Sequence, residues 1–365
     1  MNIFWVLLVF FVIGAMQAAL FGRKQLKRLT YRREFSKTSL YEGEAIEMIE
    51  TLENRSLLPI PWLRIETHIP PELRFGSQEN LTIVEGRYHR SFFFMGPFSR
   101  VVRRHRVTCV GRGYFNLSSA SLTYGDLFGF SSRSRTLDLD LFLTVWPRII
   151  PTGDFMPPST RMLGDVLVRR WIMPDLFLVG GIRPWHDGDS LRDIHWRATA
   201  RTGSVQVKQH DYTASPKLLV LLNTQVEEHQ WGEIAVHDRP KVEEAISYCA
   251  SLMMSAMEAG VEVGFGTNGE LAMQRGETVL LPPMLSESAR TMLLDTLARL
   301  SMRRGRNFHS YLENIPLVGG YDVLILSPYT SMKIENQAAA LRLCGNTVTM
   351  RSWEGGVPRA DNIPA

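Results

Sequence analysis

From residue 40 to about residue 147, apolar and polar positions alternate in short runs: 45–52 (AIEMIETL), 63–69 (LRIETHI), 81–84, 90–94, 101–110 and 141–145. A period of two is that of a strand with one buried face. Breakers recur between the runs, at Asn54 to Ser56, Pro70 and Pro71, Gly96 and Pro97, and Gly111 to Gly113. Strands this short, separated by such turns, predict a small antiparallel, Ig-like β-sandwich over 38–150. Phe92 to Phe94 read as part of its core. From Lys217 the pattern changes. Apolar runs at 218–222, 261–266, 322–326 and 347–350 alternate with helical stripes at 242–259, 287–299 and 333–343. That order predicts a mainly parallel sheet covered on both faces, a doubly wound α/β domain over 217–351. In its first helix Val242, Ala245, Ile246, Cys249 and Leu252 trace the buried stripe, Gly260 ends it, and Met253, Met254 and Met257 read as core filler.

The N-terminus has neither period. Residues 3–21 (IFWVLLVFFVIGAMQAALF) carry no charge, and as a helix would rise about 28 Å, near the thickness of a bilayer core. A cleaved signal peptide needs a positive n-region, and only Met1 and Asn2 precede the run. A transmembrane anchor over 1–22 is therefore expected. Charge sharpens this reading. The 365 residues sum to +4, yet segment 23–37 alone holds seven basic residues against Glu34, or +6, which leaves the remainder at −2. Basicity beside an apolar span predicts an N-terminus outside and a cytoplasmic bulk, a single-pass protein of the cell inner membrane with its basic segment against anionic headgroups.

With 45% apolar residues and three scattered cysteines (Cys109, Cys249, Cys344), the chain is neither disordered nor a disulfide framework. Nucleic acid is not expected as a partner. The run Arg100 to Arg106 (RVVRRHR) has no recognition motif beside it and reads as a solvated strand face or a lipid contact.

A connector over 151–216 contains the most distinctive stretch, Gly180 to Lys208. Asp189 suits an N-cap after Gly188. Leu191, Ile194 and Ala198 would share one helical face, Asp193 and Arg197 stand at i,i+4, and Gly203 beyond Arg201 would end the helix. His186, Asp187, Asp189, Asp193 and His195 also form a short Asp/His cluster able to supply acids and bases. Trp185 and Trp196, beside Arg183 and Arg192, have the composition of interface hot spots.

Here the sequence resembles the bacterial proteins carrying the domain of unknown function 58, through Gly188 and Asp189, Arg192, Ile194, His195 and Trp196, Ala198, and Ala200 to Gly203. Supporting likenesses include Arg112 to Tyr114, Gly125 to Gly129 and Trp146 to Arg148. The resemblance implies a von Willebrand factor A-like C-terminal domain. Its divalent-cation motif would fall on Asn223, Gln225 and Glu227, with Ser327 to Tyr329 at the later position. The aspartates are absent there, so no metal is expected.

The resemblance further implies a MoxR-type AAA+ ATPase as partner. The whole then reads as an anchor helix, a sandwich and an α/β domain followed by a tail over 352–365. Functionally it would be a non-enzymatic interaction module facing the cytoplasm, serving the assembly or maturation of a partner complex without a cofactor. The alternative is a hydrolase using the Asp/His cluster at 186–195. No Walker loop, Gly-x-Ser-x-Gly elbow or zinc spacing is present.

Overall fold

A computed structural model describes residues 5, 12, 28–76, 81–84, 88–125, 132–150, 179–186, 190–210, 217–272, 274, 276–316 and 319–353. The chain divides into two compact units: residues 1–148 with 297–299, and residues 149–296 with 300–365.

The first unit is built from strands β1 (Leu29–Phe35), β2 (Ser39–Tyr41), β3 (Ala45–Asn54), β4 (Ile60–His68), β5 (Leu73–Phe75) and β6 (Leu81–Val84). They are followed by β7 (Tyr88–Met95), β8 (Arg100–Cys109), β9 (Gly113–Asn116), β10 (Ser119–Gly125), β11 (Ser132–Asp138) and β12 (Phe142–Trp146). One sheet runs β1-β3-β8-β5, a second β11-β10-β4-β7-β6, and a small third β2-β12-β9. Alternate residues point inward, as in β3, where Ile46, Met48, Glu50 and Leu52 are buried. The alternation read from sequence is thus realised as sandwich-like elements. In β7 it corrects the aromatic run: only Phe93 is buried, while Phe92 and Phe94 face out.

The basic segment hides a strand. In β1 Leu29, Tyr31 and Arg33 are buried while Thr30, Arg32 and Glu34 are exposed, so part of 23–37 belongs to the first sheet. Arg33 donates to Glu50 Oε1 at 2.7 Å and, across to the second sheet, to Thr67 Oγ1 at 2.8 Å. Tyr31 OH and His105 Nε2 also reach the Glu50 carboxylate, at 2.7 and 3.0 Å. His89 and Ser91 from β7 are buried as well, and the His89 ring stands 5.5 Å from that of His105. This polar layer separates two apolar clusters, one around Met48, Val107 and Leu143, the other around Leu52, Leu63 and Phe93. Burial alone would raise the Glu50 pKa, but the His105 hydrogen bond, Arg33 and Tyr31 together hold it well below the usual carboxylate range.

The second unit opens with β13 (Val179–Pro184), a 3-10 turn at Leu191–Asp193, α1 (Trp196–Thr202) and β14 (Gln206–His210). Then come β15 (Lys217–Leu222), α2 (Arg239–Glu258), β16 (Glu262–Thr267), β17 (Gly269–Leu271), β18 (Val279–Met284), α3 (Glu287–Arg299) and β19 (Leu300–Arg304). The chain continues through α4 (Phe308–Glu313), β20 (Asp322–Leu326), α5 (Met332–Leu343) and β21 (Thr347–Arg351). Its main sheet runs β18-β16-β15-β20-β21, parallel except for the antiparallel edge strand β18. Leu218 to Leu222 are all buried, as a central strand covered on both faces must be.

Two expectations are corrected. Among the described residues no helix is long and apolar enough to cross a membrane. The longest, α2, has 20 residues but carries Arg239, Lys241, Glu243, Glu244 and Glu258. The 13 residues of α3 rise only about 20 Å, short of a bilayer core. This finding overturns the anchor helix and the single-pass inner-membrane placement. The stretch 3–21 on which both rested lies outside the described residues except for Trp5 and Val12, which are exposed. The fold class is corrected with it: the described chain is mostly β-sheet with few helices. Its C-terminal part is a mixed sheet with helices, and the von Willebrand factor A likeness stands on resemblance alone.

Candidate functional site

Strands β13 and β14 pair antiparallel, Ile182 opposite Lys208 and Pro184 opposite Gln206, and the chain between them makes a helical excursion. Ser190 is extended, and its Oγ accepts from Arg192 N at 3.3 Å, capping the 3-10 turn. Ile194 is extended, buried, and bridges Val207 of β14. A second cap follows. His195 Nδ1 accepts from Ala198 N at 3.1 Å, which starts α1, and Gly203 at φ 71 ends it by donating to Thr199 O. The helix is tied to β14 twice, by His195 N donating to Gln206 O at 2.7 Å and Gln206 N donating to Thr199 Oγ1 at 3.0 Å.

The single helix expected from an Asp189 cap is therefore two pieces. Ile194 serves the pairing with β14 instead of a helical stripe, which puts a break between Asp193 and Arg197 and removes their i,i+4 relation. Leu191 is no core residue; it is 74% exposed, and Trp196 is 72% exposed. Asp187, Gly188 and Asp189 lie outside the described residues. Arg183 is half-buried and reaches Pro184 O at 3.1 Å and His186 Nδ1 at 2.9 Å. Trp185 is half-buried and donates its backbone N–H to Val205 O. Arg192 and Arg201 are exposed, and Asp193 is half-buried.

The ends of the parallel strands carry a different arrangement. Asn223, fully buried after β15, donates to Ser327 Oγ at 3.0 Å and accepts from Gln225 N at 2.9 Å. Thr224 donates its N–H and hydroxyl to Asn268 Oδ1. Gln225 Oε1 accepts from Phe308 N at 2.7 Å and Tyr329 OH at 3.3 Å. Arg304, 3% exposed, donates to Gln230 Oε1 at 2.7 Å and to Thr224 O at 3.3 Å.

Open α/β sheets take ligands at this edge. Here it is filled by side-chain amides satisfied by hydroxyls and backbone N–H groups, and by one guanidinium, a donor set unlike the anionic oxygens a hard cation needs. Glu227 is exposed. Among the described residues no group of three or more His, Cys, Asp and Glu side chains could hold a metal ion. Sequence reasoning found Asn223 and Gln225 but missed Asn268, Gln230 and Arg304. In the run Arg303 to Arg306 nothing marks which arginine turns inward.

With this geometry in place, comparison with known proteins gives a match over part of the chain. Residues 181–316 match the family model described as Protein of unknown function DUF58. The DUF58 match begins inside β13 and takes in the excursion and the network residues from Asn223 to Phe308, but not Ser327 and Tyr329. A curated relative, "Uncharacterized protein YeaD" of Bacillus subtilis (strain 168), is 19% identical over 269 residues, 73% of this chain. The match spans 62% of that relative's length. Among solved structures, the CARDB domain of the PF1109 protein from Pyrococcus furiosus is 12% identical, with a TM-score of 0.20 over 32% of this chain and 91% of that one. A non-cellulosomal cohesin from Archaeoglobus fulgidus is 8% identical, with a TM-score of 0.21 over 32% of this chain and 91% of that one.

Proposed function

We propose that this protein is a non-enzymatic interaction module that docks a partner through the excursion between β13 and β14. The observation that carries the reading is the exposure of Leu191 and Trp196 on two separately capped turns, neither of which buries a residue of its own. A helix as short as α1 gains little from propensity, so its caps and its ties to β14 hold Trp196 in place. Backbone ordered in advance lowers the entropy cost of docking, and Trp and Arg dominate interface hot spots. The exposed Arg192, Arg197 and Arg201 suit an acidic rim on the partner. For that partner we take the MoxR-type AAA+ ATPase implied by the sequence resemblance, acting in assembly or maturation of a complex.

The hydrolase alternative has less support. As a general base through Nδ1, His195 would have to give up the lone pair that caps α1.

The test uses the full chain and a purified MoxR-type ATPase. The Leu191→Ala/Trp196→Ala variant is expected to bind at least about tenfold more weakly, since truncating one hot-spot side chain costs more than ~1.4 kcal/mol. Its melting temperature should be unchanged, because both side chains are solvated in the free protein. Wild-type affinity in the double variant refutes the reading.

A further inference from the structure

The loop joining β3 to β4 and the loop joining β7 to β8 meet at one end of the sandwich. Asn54, 1% exposed, holds them together: its Nδ2 donates to Leu58 O at 3.0 Å and to Gly96 O at 2.8 Å, and its Oδ1 accepts from Ser56 N at 3.1 Å. The backbones are joined as well, Asn54 N to Ser99 O at 2.9 Å and Phe98 N to Ser56 O at 3.1 Å. From this base the loops project apolar side chains. Leu57 is 72% exposed, Phe98 69%, and Phe94, next to last on β7 before the second loop, 69%. Phe98 also sits at φ 46, the one non-glycine residue among those described with a positive φ. A phenylalanine held in the left-handed region and aimed at solvent marks a constraint that packing does not explain.

The charge around this tip is basic. Arg28, Arg55 and Arg100 are exposed; Glu53, ion-paired with Arg55 at 2.9 Å, also stands opposite Arg100 in the β3–β8 register, so three cations face one acid. Arg55 N donates to Arg28 O at 3.0 Å, so the chain joins β1 at this same tip. Before Arg28 the sequence carries Arg23, Lys24 and Lys27, and before those the uncharged run 3–21. Apolar side chains standing singly inside a basic rim are the composition of a surface that enters the headgroup and acyl boundary of an anionic bilayer.

We propose that the Leu57/Phe98 tip seats on anionic lipid, with Leu57, Phe98 and Phe94 at acyl depth and Arg28, Arg55 and Arg100 at the phosphates. The contact is made by folded loops and needs no membrane-crossing helix.

The test is built so that any lipid affinity of run 3–21 cannot produce the expected result. In a full-length Cys344→Ser background, where Cys109 and Cys249 are buried, an environment-sensitive fluorophore is placed by Leu57→Cys or by Ala45→Cys. Ala45 is exposed at the opposite end of β3, about 30 Å away at strand rise. Vesicles of phosphatidylglycerol with phosphatidylcholine should shift the emission of the label at position 57 to the blue, and nitroxide lipids should quench it. The label at position 45 should do neither, and phosphatidylcholine alone should leave both unchanged. Adding Arg55→Glu and Arg100→Glu should abolish the shift at 57.

An aqueous label at 57 on protein that co-sediments with the vesicles overturns the proposal, as does an equal shift at 45. Absence of a shift on either vesicle also overturns it, and leaves the tip to a protein partner.

Discussion

Acid should destabilise the sandwich through His89. Its ring is 1% exposed, and neither nitrogen has a hydrogen-bond partner, so protonation would place an unsolvated cation in the core. Burial is the largest cause of its lowered pKa, which falls to about 4 from 6.5; the Glu50 carboxylate opposes this, while Arg33, His105 and Arg103 reinforce it. The sign follows from proton counting. The folded state keeps the ring neutral over a range in which the unfolded chain protonates it, so this contribution is fully present above pH 6.5 and is lost as pH falls toward about 4. At about 1.4 kcal/mol per pH unit the gap amounts to ~3 kcal/mol, a large share of a small unit's stability. Glu50, whose pKa is lowered, adds a second loss below its ordinary value of 4.5.

The assay is urea unfolding of the full chain between pH 7 and pH 4, read by hydrogen-exchange labelling of peptides covering 88–109. Wild type should lose stability across that window. The His89→Leu variant, apolar and of similar volume, should lose much less between pH 6.5 and pH 4.5. Equal slopes in the two proteins would refute the assignment to His89.

Three further outcomes follow from the same geometry. Removing one partner of the buried ion pair, by Glu50→Leu or Arg33→Met, should cost about 3–5 kcal/mol in urea unfolding, and the double variant should recover much of it. Asn54→Ala removes three side-chain hydrogen bonds and should lower sandwich stability by about 2–4 kcal/mol, while raising hydrogen exchange at 55–60 and 96–100. Gly264→Ala should destabilise the second unit by at least about 1–3 kcal/mol in thermal unfolding. Its Cβ would lie 2.6 Å from Leu281 O and 2.8 Å from Pro283 N, backbone atoms that cannot rotate away.

Periodicity made much of the fold legible, because burial follows it. Helix α3 and strand β20 begin and end where the pattern places them. Strand β1 was hidden because an arginine occupies an inward position, and its partners Glu50 and Thr67, 17 and 34 residues away along the chain, make that burial tolerable. Strand β18 was hidden by Pro282 and Pro283, which argue against a strand unless it lies at a sheet edge, as this one does.

At the candidate site the sequence identified the right stretch and the wrong mechanics. A side chain at helical spacing predicts a stripe only if the helix is continuous, and Ile194 pairs with β14 instead. The Asp189 cap read from the sequence assumed one long helix, whereas the caps lie at Ser190 and His195. Leu57, Phe98 and Leu191 carried no signal of exposure, since an apolar residue in a short run reads as core until its neighbours are known.

The docking claim is tested most directly by a photo-crosslinking side chain at position 196 in the full chain within the cell, with position 343 as control. Leu343 is also exposed, at 89%, and lies at the end of α5, not in the excursion. A discrete adduct with a MoxR-type AAA+ ATPase is expected from position 196 and none from position 343. No adduct from 196, or the same adducts from both positions, contradicts it.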